Sequence, residues 1–372
     1  MVGDPERVGA LAGRPMVAVN LDDPAFGGAT TEDLARFLRD VPAVTVGVAP
    51  AGAVAAGAPA GFDVAGFDPA GFDPAGFDVA LTGTPDPPAP WVWCADVGET
   101  VEELWGRATA NPVAAVALVQ LLRVSGRLEV AEGLVAESFV YGLLQGGSEH
   151  RRWLADRPAR RSRPTRRAVV LDRQGAVLAV ELHRPEVRNA FSAQMRDELV
   201  AAFELAAADP TIEEVRVTGA GPSFCSGGDL DEFGTAEDPS MAHLVRTTRS
   251  AARGLLGCAE RTVFSVHGAC VGAGVELAAL AGTVVAAPGT TFELPEVGMG
   301  LVPGAGGTAT LTHRIGRHRT TYLALSGVAV DVDTARHWGL VDEVRSGPVN
   351  GGPRVPLDVP PGVPPDVSPP PS

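Results

Sequence analysis

The sequence predicts an α/β fold from Ala168 onward, and three local patterns support this interpretation. Apolar residues alternate on both sides of Gly175, which is typical of a β-hairpin. A helix is predicted over 192–208, where apolar side chains recur on one face. Short apolar strands at 215–218, 263–266 and 284–287 are separated by segments long enough to form helices. Strands that alternate with helices indicate an α/β architecture.

The first 155 residues divide into two parts. Residues 1–98 are predicted to be a degenerate α/β segment, with strands at 44–49 and 77–82 and a capped helix at 31–39. Residues 99–155 are predicted to be a helical module. Within it, Asn111-Pro112 opens a helix, and apolar residues follow at a spacing of three and four.

The excess of glycine and proline, 45 and 32 residues, falls partly in three low-complexity segments. Four AGFD copies at 60–79 are interpreted as an expanded loop, with a ligand-binding surface as the alternative. Residues 156–167 are a basic linker, and we expect it to be solvated rather than to bind phosphates. The tail, 346–372, holds ten prolines and is expected to be disordered. These boundaries leave 168–345 as the predicted catalytic core.

Charge and cysteine usage exclude several classes of function. A formal net charge of −15 argues against nucleic acid or an anionic membrane as the main partner. The four cysteines lack CxxC spacing and the seven histidines are scattered, so no metal site and no disulfide framework are predicted. There is no signal peptide pattern and no run of 18 uncharged apolar residues. We therefore expect a cytoplasmic protein.

Two glycine-rich turns are candidates for binding a developing negative charge. In 224–230, FCSGGDL, two glycines follow a strand and can turn backbone N–H groups toward a ligand, although a plain turn explains the pattern equally well. In 267–277, HGACVGAGVEL, a helix begins near Ala273, and its first N–H groups lack partners within the helix. Glu276 lies one turn further along. The dinucleotide pattern GxGxxG is not matched.

A third segment, 292–308, places Glu296 after a proline and among apolar residues. Burial of this carboxyl would raise its pKa, which suits a proton donor near neutral pH. The alternative is an exposed glutamate at the end of a loop.

These three segments, with HRPEVRNA at 183–190, resemble the crotonase, or enoyl-CoA hydratase/isomerase, superfamily. The resemblance implies a crotonase-like ββα spiral core with an N-terminal extension that contains a helical module. It implies an oxyanion hole made by the backbone N–H groups of Gly228 and Ala273. It further implies that Glu276 activates water and that Glu296 protonates the α-carbon. The implied substrate-binding residues are Ser226, Asp229, Arg188 and Gly272.

The expected activity is hydration of the 2,3 double bond of an enoyl-CoA thioester. The alternatives are an enoyl-CoA isomerase, which needs one carboxylate near Glu296, and a non-catalytic acyl-CoA-binding scaffold. A cofactor-free oxygenase is disfavoured because its resemblance requires an amide at position 276. No cofactor is expected, since coenzyme A is part of the substrate. The resemblance implies a homo-trimer or hexamer.

Family members continue past the GLVDEV step at 339–344 with helices that close the active site, whereas this chain has the proline-rich tail there. Residues 110–154 resemble those missing helices. Our hypothesis is that they replace the missing module from a position ahead of the core.

Overall fold

The computed structural model describes residues 9–20, 31–49, 76–157, 165–236 and 238–346. Three predicted features lie wholly or mostly outside these ranges. They are the AGFD copies up to residue 75, the linker segment 158–164 and the tail from 347 onward. The predictions made for them are not tested.

The N-terminal segment forms a parallel four-stranded sheet in the order β1-β2-β3-β4. Its strands are Met16–Asn20 (β1), Val44–Ala49 (β2), Val79–Thr82 (β3) and Trp91–Trp93 (β4), with helix α1 at Thr31–Asp40. The predicted strand at 44–49 is confirmed. All four residues of β3 and most of β2 are buried, which is typical of parallel strands covered on both faces.

Four helices follow the sheet: Val97–Ala110 (α2), Pro112–Ser125 (α3), Val130–Gln145 (α4) and Ser148–Ala155 (α5). Asp96 caps α2 by accepting a hydrogen bond from the Glu99 N–H, and a capping box between Glu129 and Glu132 begins α4. No single described helix is long and apolar enough to cross a bilayer. Helices α2 and α3 reach that length only together, and the chain bends by 107° between them.

The C-terminal half contains two sheets. Six strands lie in the order β14-β11-β9-β7-β6-β5 and four in the order β13-β12-β10-β8. All neighbours are parallel except the β5–β6 hairpin and the β12–β13 pair. The strands are Val169–Gln174 (β5), Val177–Leu182 (β6), Glu214–Gly219 (β7), Cys225–Ser226 (β8), Thr262–Val266 (β9), Ala269–Val271 (β10), Thr283–Ala286 (β11), Thr291–Glu293 (β12), Val330–Asp331 (β13) and Glu343–Val344 (β14).

Seven helices complete this half: Ala193–Ala208 (α6), Pro239–Thr248 (α7), Ala251–Leu256 (α8), Ala273–Ala278 (α9), Gly307–Ile315 (α10), Arg317–Ser326 (α11) and Val332–His337 (α12). The predicted hairpin, the helix at 192–208 and the start of a helix near Ala273 are confirmed. The strands predicted at 215–218, 263–266 and 284–287 are confirmed to within one residue at each end.

The N-terminal elements and the C-terminal half share one hydrophobic core. Helices α3 and α4 pack on α10, α4 packs on α7, and α11 packs against β3 and β4. A buried ion pair joins the sheet to the helices, because Arg123 of α3 donates hydrogen bonds to Asp78 and to backbone carbonyls just before β2. The helical module therefore lies directly against the core, beside the first turn of α10.

Candidate active site

A cavity of about 460 Å³ lies where the helical module meets the core. The core contributes Gly228, Ala273, Glu276 and Glu296 to its wall, and α4 contributes Tyr141 and Gln145. Four of the residues predicted to act in catalysis thus share one cavity with side chains from a segment before the core.

Strand pairing brings the two predicted oxyanion amides to the same edge. Strands β8 and β10 are parallel neighbours in which Cys225 pairs with Cys270 and Ser226 with Val271. Gly228 follows the end of β8 by two residues, and Ala273 follows the end of β10 by two residues, at the start of α9. Each of these two residues follows a glycine with positive φ, +87° at Gly227 and +49° at Gly272. Neither N–H donates to an acceptor among the residues that the structure describes.

Glu276 lies buried on α9, and backbone N–H groups at the start of α10 and just before it donate hydrogen bonds to its carboxylate. Its Oε2 accepts hydrogen bonds from the N–H of Ala305 at 2.7 Å and of Gly307 at 2.8 Å. Burial raises the pKa of Glu276 to about 7, and the two N–H donors oppose that rise because they favour the ionised form. Both bonds reach Oε2, which leaves Oε1 for a ligand in the cavity.

Glu296 has the opposite surroundings. It begins the short 3₁₀ helix Glu296–Met299, is buried, and its Oε2 has no hydrogen-bond partner among the described residues. Burial, and then the charge of Glu276, hold its pKa well above the usual range. Gly272 allows this position, since a Cβ there would lie 2.6 Å from Glu296 Oε1.

A third carboxylate, Glu137 of α4, is buried close to this pair, and the sequence analysis missed it. Its oxygens accept hydrogen bonds from the Gly306 N–H and from both the N–H and the hydroxyl of Thr308. Its pKa is raised by burial and by the charge of Glu276. A signal was present, because Glu137 follows Leu134 by three residues and precedes Tyr141 by four on one face of the helix.

Of the four predicted substrate-binding residues, Asp229 lines the cavity and the other three do not. The Asp229 carboxylate forms a buried ion pair with Arg184 at 2.9 Å. Arg188 and Ser226 are not among the cavity-lining residues: Arg188 is exposed, and the Ser226 hydroxyl donates to the Val187 carbonyl. Gly272 lies behind Glu296 rather than on the cavity surface.

Arg184 was also missed by the sequence analysis, although it stands within the HRPEVRNA motif. Its guanidinium donates to the Ala190 carbonyl as well as to Asp229. Because Asp229 directly follows Gly228, this ion pair fixes the backbone next to one of the two candidate oxyanion amides.

The described residues contain no group of three or more His, Cys, Asp or Glu side chains that could hold a metal ion. The four cysteines are buried and free.

Known proteins similar to this chain share its C-terminal half. A family model described as enoyl-CoA hydratase/isomerase matches residues 172–348. The 2,3-dehydroadipyl-CoA hydratase of Escherichia coli (strain K12) is 36% identical over 176 residues, which cover 47% of this chain and 68% of that protein. A mevalonyl-coenzyme A hydratase of Beauveria bassiana (strain ARSEF 2860) is 34% identical over 46% of this chain and 64% of that protein.

A crystal structure of an enoyl-CoA hydratase/isomerase from Marinobacter aquaeolei is 30% identical, with a TM-score of 0.44 over 48% of this chain and 71% of that one. The matched segment thus spans about two thirds of the length of each of these relatives. On the sequence matches, the chain belongs to the enoyl-CoA hydratase/isomerase family of enzymes, the crotonase superfamily. The α/β half that carries Glu276 and Glu296 is its crotonase core.

Proposed function

We propose that this protein hydrates the 2,3 double bond of an enoyl-CoA thioester. The observation that carries the proposal is the contrast between the two cavity carboxylates. Two backbone N–H groups favour the ionised form of Glu276, whereas burial with an unpartnered Oε2 favours the protonated form of Glu296. Hydration needs one group of each kind, a base for water and an acid for the α-carbon.

In the proposed reaction, the water oxygen adds to C3 of the enoyl group while one water proton passes to Glu276. The π electrons of the double bond move toward the thioester carbonyl and form an enolate. The enolate then takes the proton of Glu296 at C2, which gives the 3-hydroxyacyl thioester. Glu276 is left protonated and Glu296 ionised, and transfer of a proton from the first to the second restores the site.

Gly228 and Ala273 are proposed to bind the enolate oxygen. Each follows one of the paired strands β8 and β10 by two residues and lines the cavity, and neither N–H donates to a described acceptor, so both are available to the developing charge. An acyl-CoA thioester is the substrate class that the relatives' names support, since both are hydratases of CoA esters. The two carboxylates supply both proton transfers, and the proposed reaction therefore requires no further cofactor.

A homo-trimer or hexamer is proposed as the assembly. Helices α4 and α7 pack together and expose Phe139, Leu143, Met241 and Leu244, with exposed fractions between 52% and 70%. Neighbouring apolar side chains on two packed helices form a surface that favours burial against another copy.

The test follows the loss of the conjugated enoyl-thioester absorbance with a short and a long 2-enoyl-CoA. We expect Glu276→Gln and Glu296→Gln each to lower kcat by at least about 100-fold, because each removes one of the two proton transfers. Glu213→Gln, which removes an exposed carboxylate, is the matched control and should retain wild-type kcat.

Three outcomes would contradict the proposal. The first is that no enoyl-CoA is hydrated, and the second is that neither substitution slows turnover. The third is isomerisation of a 3-enoyl-CoA that only Glu296→Gln abolishes, which would identify an isomerase. Binding of acyl-CoA without turnover of either substrate would identify a scaffold.

A further inference from the structure

We propose that Glu137 is a positioning residue of this active site. Helix α4 supplies it from outside the family-matched segment. Its carboxylate fixes the backbone segment whose N–H groups bind Glu276. The inference rests on the proposed function, because it concerns the same pair of catalytic carboxylates. Glu137 does not line the cavity, so it acts through Glu276 rather than on the substrate.

Two carboxylates bind alternate amides of one four-residue segment. The Glu276 carboxylate accepts hydrogen bonds from the N–H groups of Ala305 and Gly307. The Glu137 carboxylate accepts hydrogen bonds from the N–H groups of Gly306 and Thr308, and each N···O distance is 2.7 to 2.8 Å. The N–H groups at the start of α10 and just before it therefore divide their hydrogen bonds between the two glutamates. A shift of the segment that improved one set of bonds would lengthen the other, so the position of Glu276 depends on Glu137.

Close packing of α4 on α10 delivers Glu137 to this segment. Gly133, one turn before Glu137, lies so near α10 that a Cβ on it would be 2.8 Å from the Cβ of Ala309. The Thr308 hydroxyl donates to Glu137 Oε2 at 2.7 Å, and Glu137 is only 3% exposed. A carboxylate at this depth with three donors is held in one orientation, since losing them would leave it buried and unpaired.

The charge of Glu137 also acts on the pair. The titratable and charged groups that face it from the packed elements are Glu276 of α9, Glu296, Tyr141 of α4, and Arg246 and His243 of α7. Two of these neighbours are carboxylates, and like charges oppose each other's ionisation. Because the charge of Glu137 raises the pKa of Glu296, that pKa falls when Glu137 is uncharged.

The experiment compares Glu137→Gln with Glu132→Gln, which removes an exposed carboxylate from the same helix. The readout is the pH dependence of kcat for enoyl-CoA hydration. In Glu137→Gln we expect kcat to fall about 10- to 100-fold with KM nearly unchanged, as for a small misplacement of a catalytic group. We also expect the basic limb of the profile, which reports the ionisation of Glu296, to move toward lower pH. Glu132→Gln should keep the wild-type profile.

The outcomes separate this inference from the proposed function. A lower kcat and melting temperature with an unmoved basic limb would overturn it, because Glu137 would then only stabilise the fold. If the wild type hydrates no enoyl-CoA, the proposed function fails, and ¹³C NMR titration of labelled glutamate carboxyls decides the inference. Coupling requires the titration of Glu296 to move down in Glu137→Gln, and that of Glu137 to move down in Glu276→Gln. Unmoved titrations in both variants would refute it.

Discussion

Replacing Gly272 with alanine tests whether the geometry of Glu296 matters for catalysis separately from backbone strain. Gly272 has φ +49° and ψ −120°, a backbone conformation that glycine adopts far more readily than an L-residue, for which the strain is roughly 1–3 kcal/mol. A Cβ would also lie 2.6 Å from Glu296 Oε1, closer than non-bonded atoms tolerate, so the carboxyl must move by several tenths of an ångström. We therefore expect both a loss of stability and a loss of turnover.

Gly289→Ala is the matched control. Gly289 has φ +78° in an exposed turn, and a Cβ there would meet nothing within 4 Å. Gly289→Ala should lose roughly 1–2 kcal/mol of unfolding free energy in urea from the backbone strain, and Gly272→Ala should lose at least as much. Only Gly272→Ala should lose kcat, by about 10- to 100-fold, since it alone displaces the proposed proton donor and the backbone next to the proposed oxyanion amide of Ala273.

The assay pairs urea unfolding with the enoyl-CoA hydration rate at saturating substrate. Wild-type kcat in Gly272→Ala would refute the argument that Glu296 acts from the position seen here. An equal loss of kcat in Gly289→Ala would also refute that argument, because backbone strain alone would then account for the loss of turnover.

Three further predictions follow from burial and charge. Burial raises the pKa of Glu296 in the folded state above its value in the unfolded chain. As pH rises above the unfolded value, the unfolded chain ionises more readily, so the free energy of unfolding falls. Glu296→Gln should therefore unfold at a higher urea concentration than wild type at pH 8, and this difference should shrink toward pH 5. Leu143→Asp places a charge in the proposed assembly surface and should therefore lower the molecular mass measured by light scattering. Val113→Asp changes an exposed apolar position on another helix and should leave that mass unchanged. Arg184→Met should cost about 3–5 kcal/mol in urea unfolding, because it removes the cation that pairs with the buried Asp229 carboxylate; a loss below about 1 kcal/mol would mean that the pair contributes little.

The C-terminal half could be predicted from sequence because its signals are local. The hairpin at Gly175, the helix at 192–208 and the helix start at Ala273 each depend on neighbouring residues, and all three are confirmed. The positive φ values at Gly227 and Gly272 are likewise local requirements. Their consequence, two amides beside one cavity, depends on the pairing of β8 with β10, which only the folded sheet provides.

Glu137 shows where sequence reasoning stops. It binds the Gly306 N–H from 169 residues away, and no spacing in the chain predicts such a contact. The same is true of Tyr141, which reaches the cavity from α4. The hypothesis that 110–154 stands in for a missing module gains a physical basis here, because helix α4 of this segment forms part of the cavity wall.

The sequence by itself determined the chemistry available to this protein: paired glutamates, glycine turns and an α/β core. These features are written in residue type and short-range spacing. The tertiary structure decided which carboxylates meet and which of them is held by backbone donors. That outcome depends on burial, on backbone donors and on like charges, and these are contributed by segments that come together only when the chain folds.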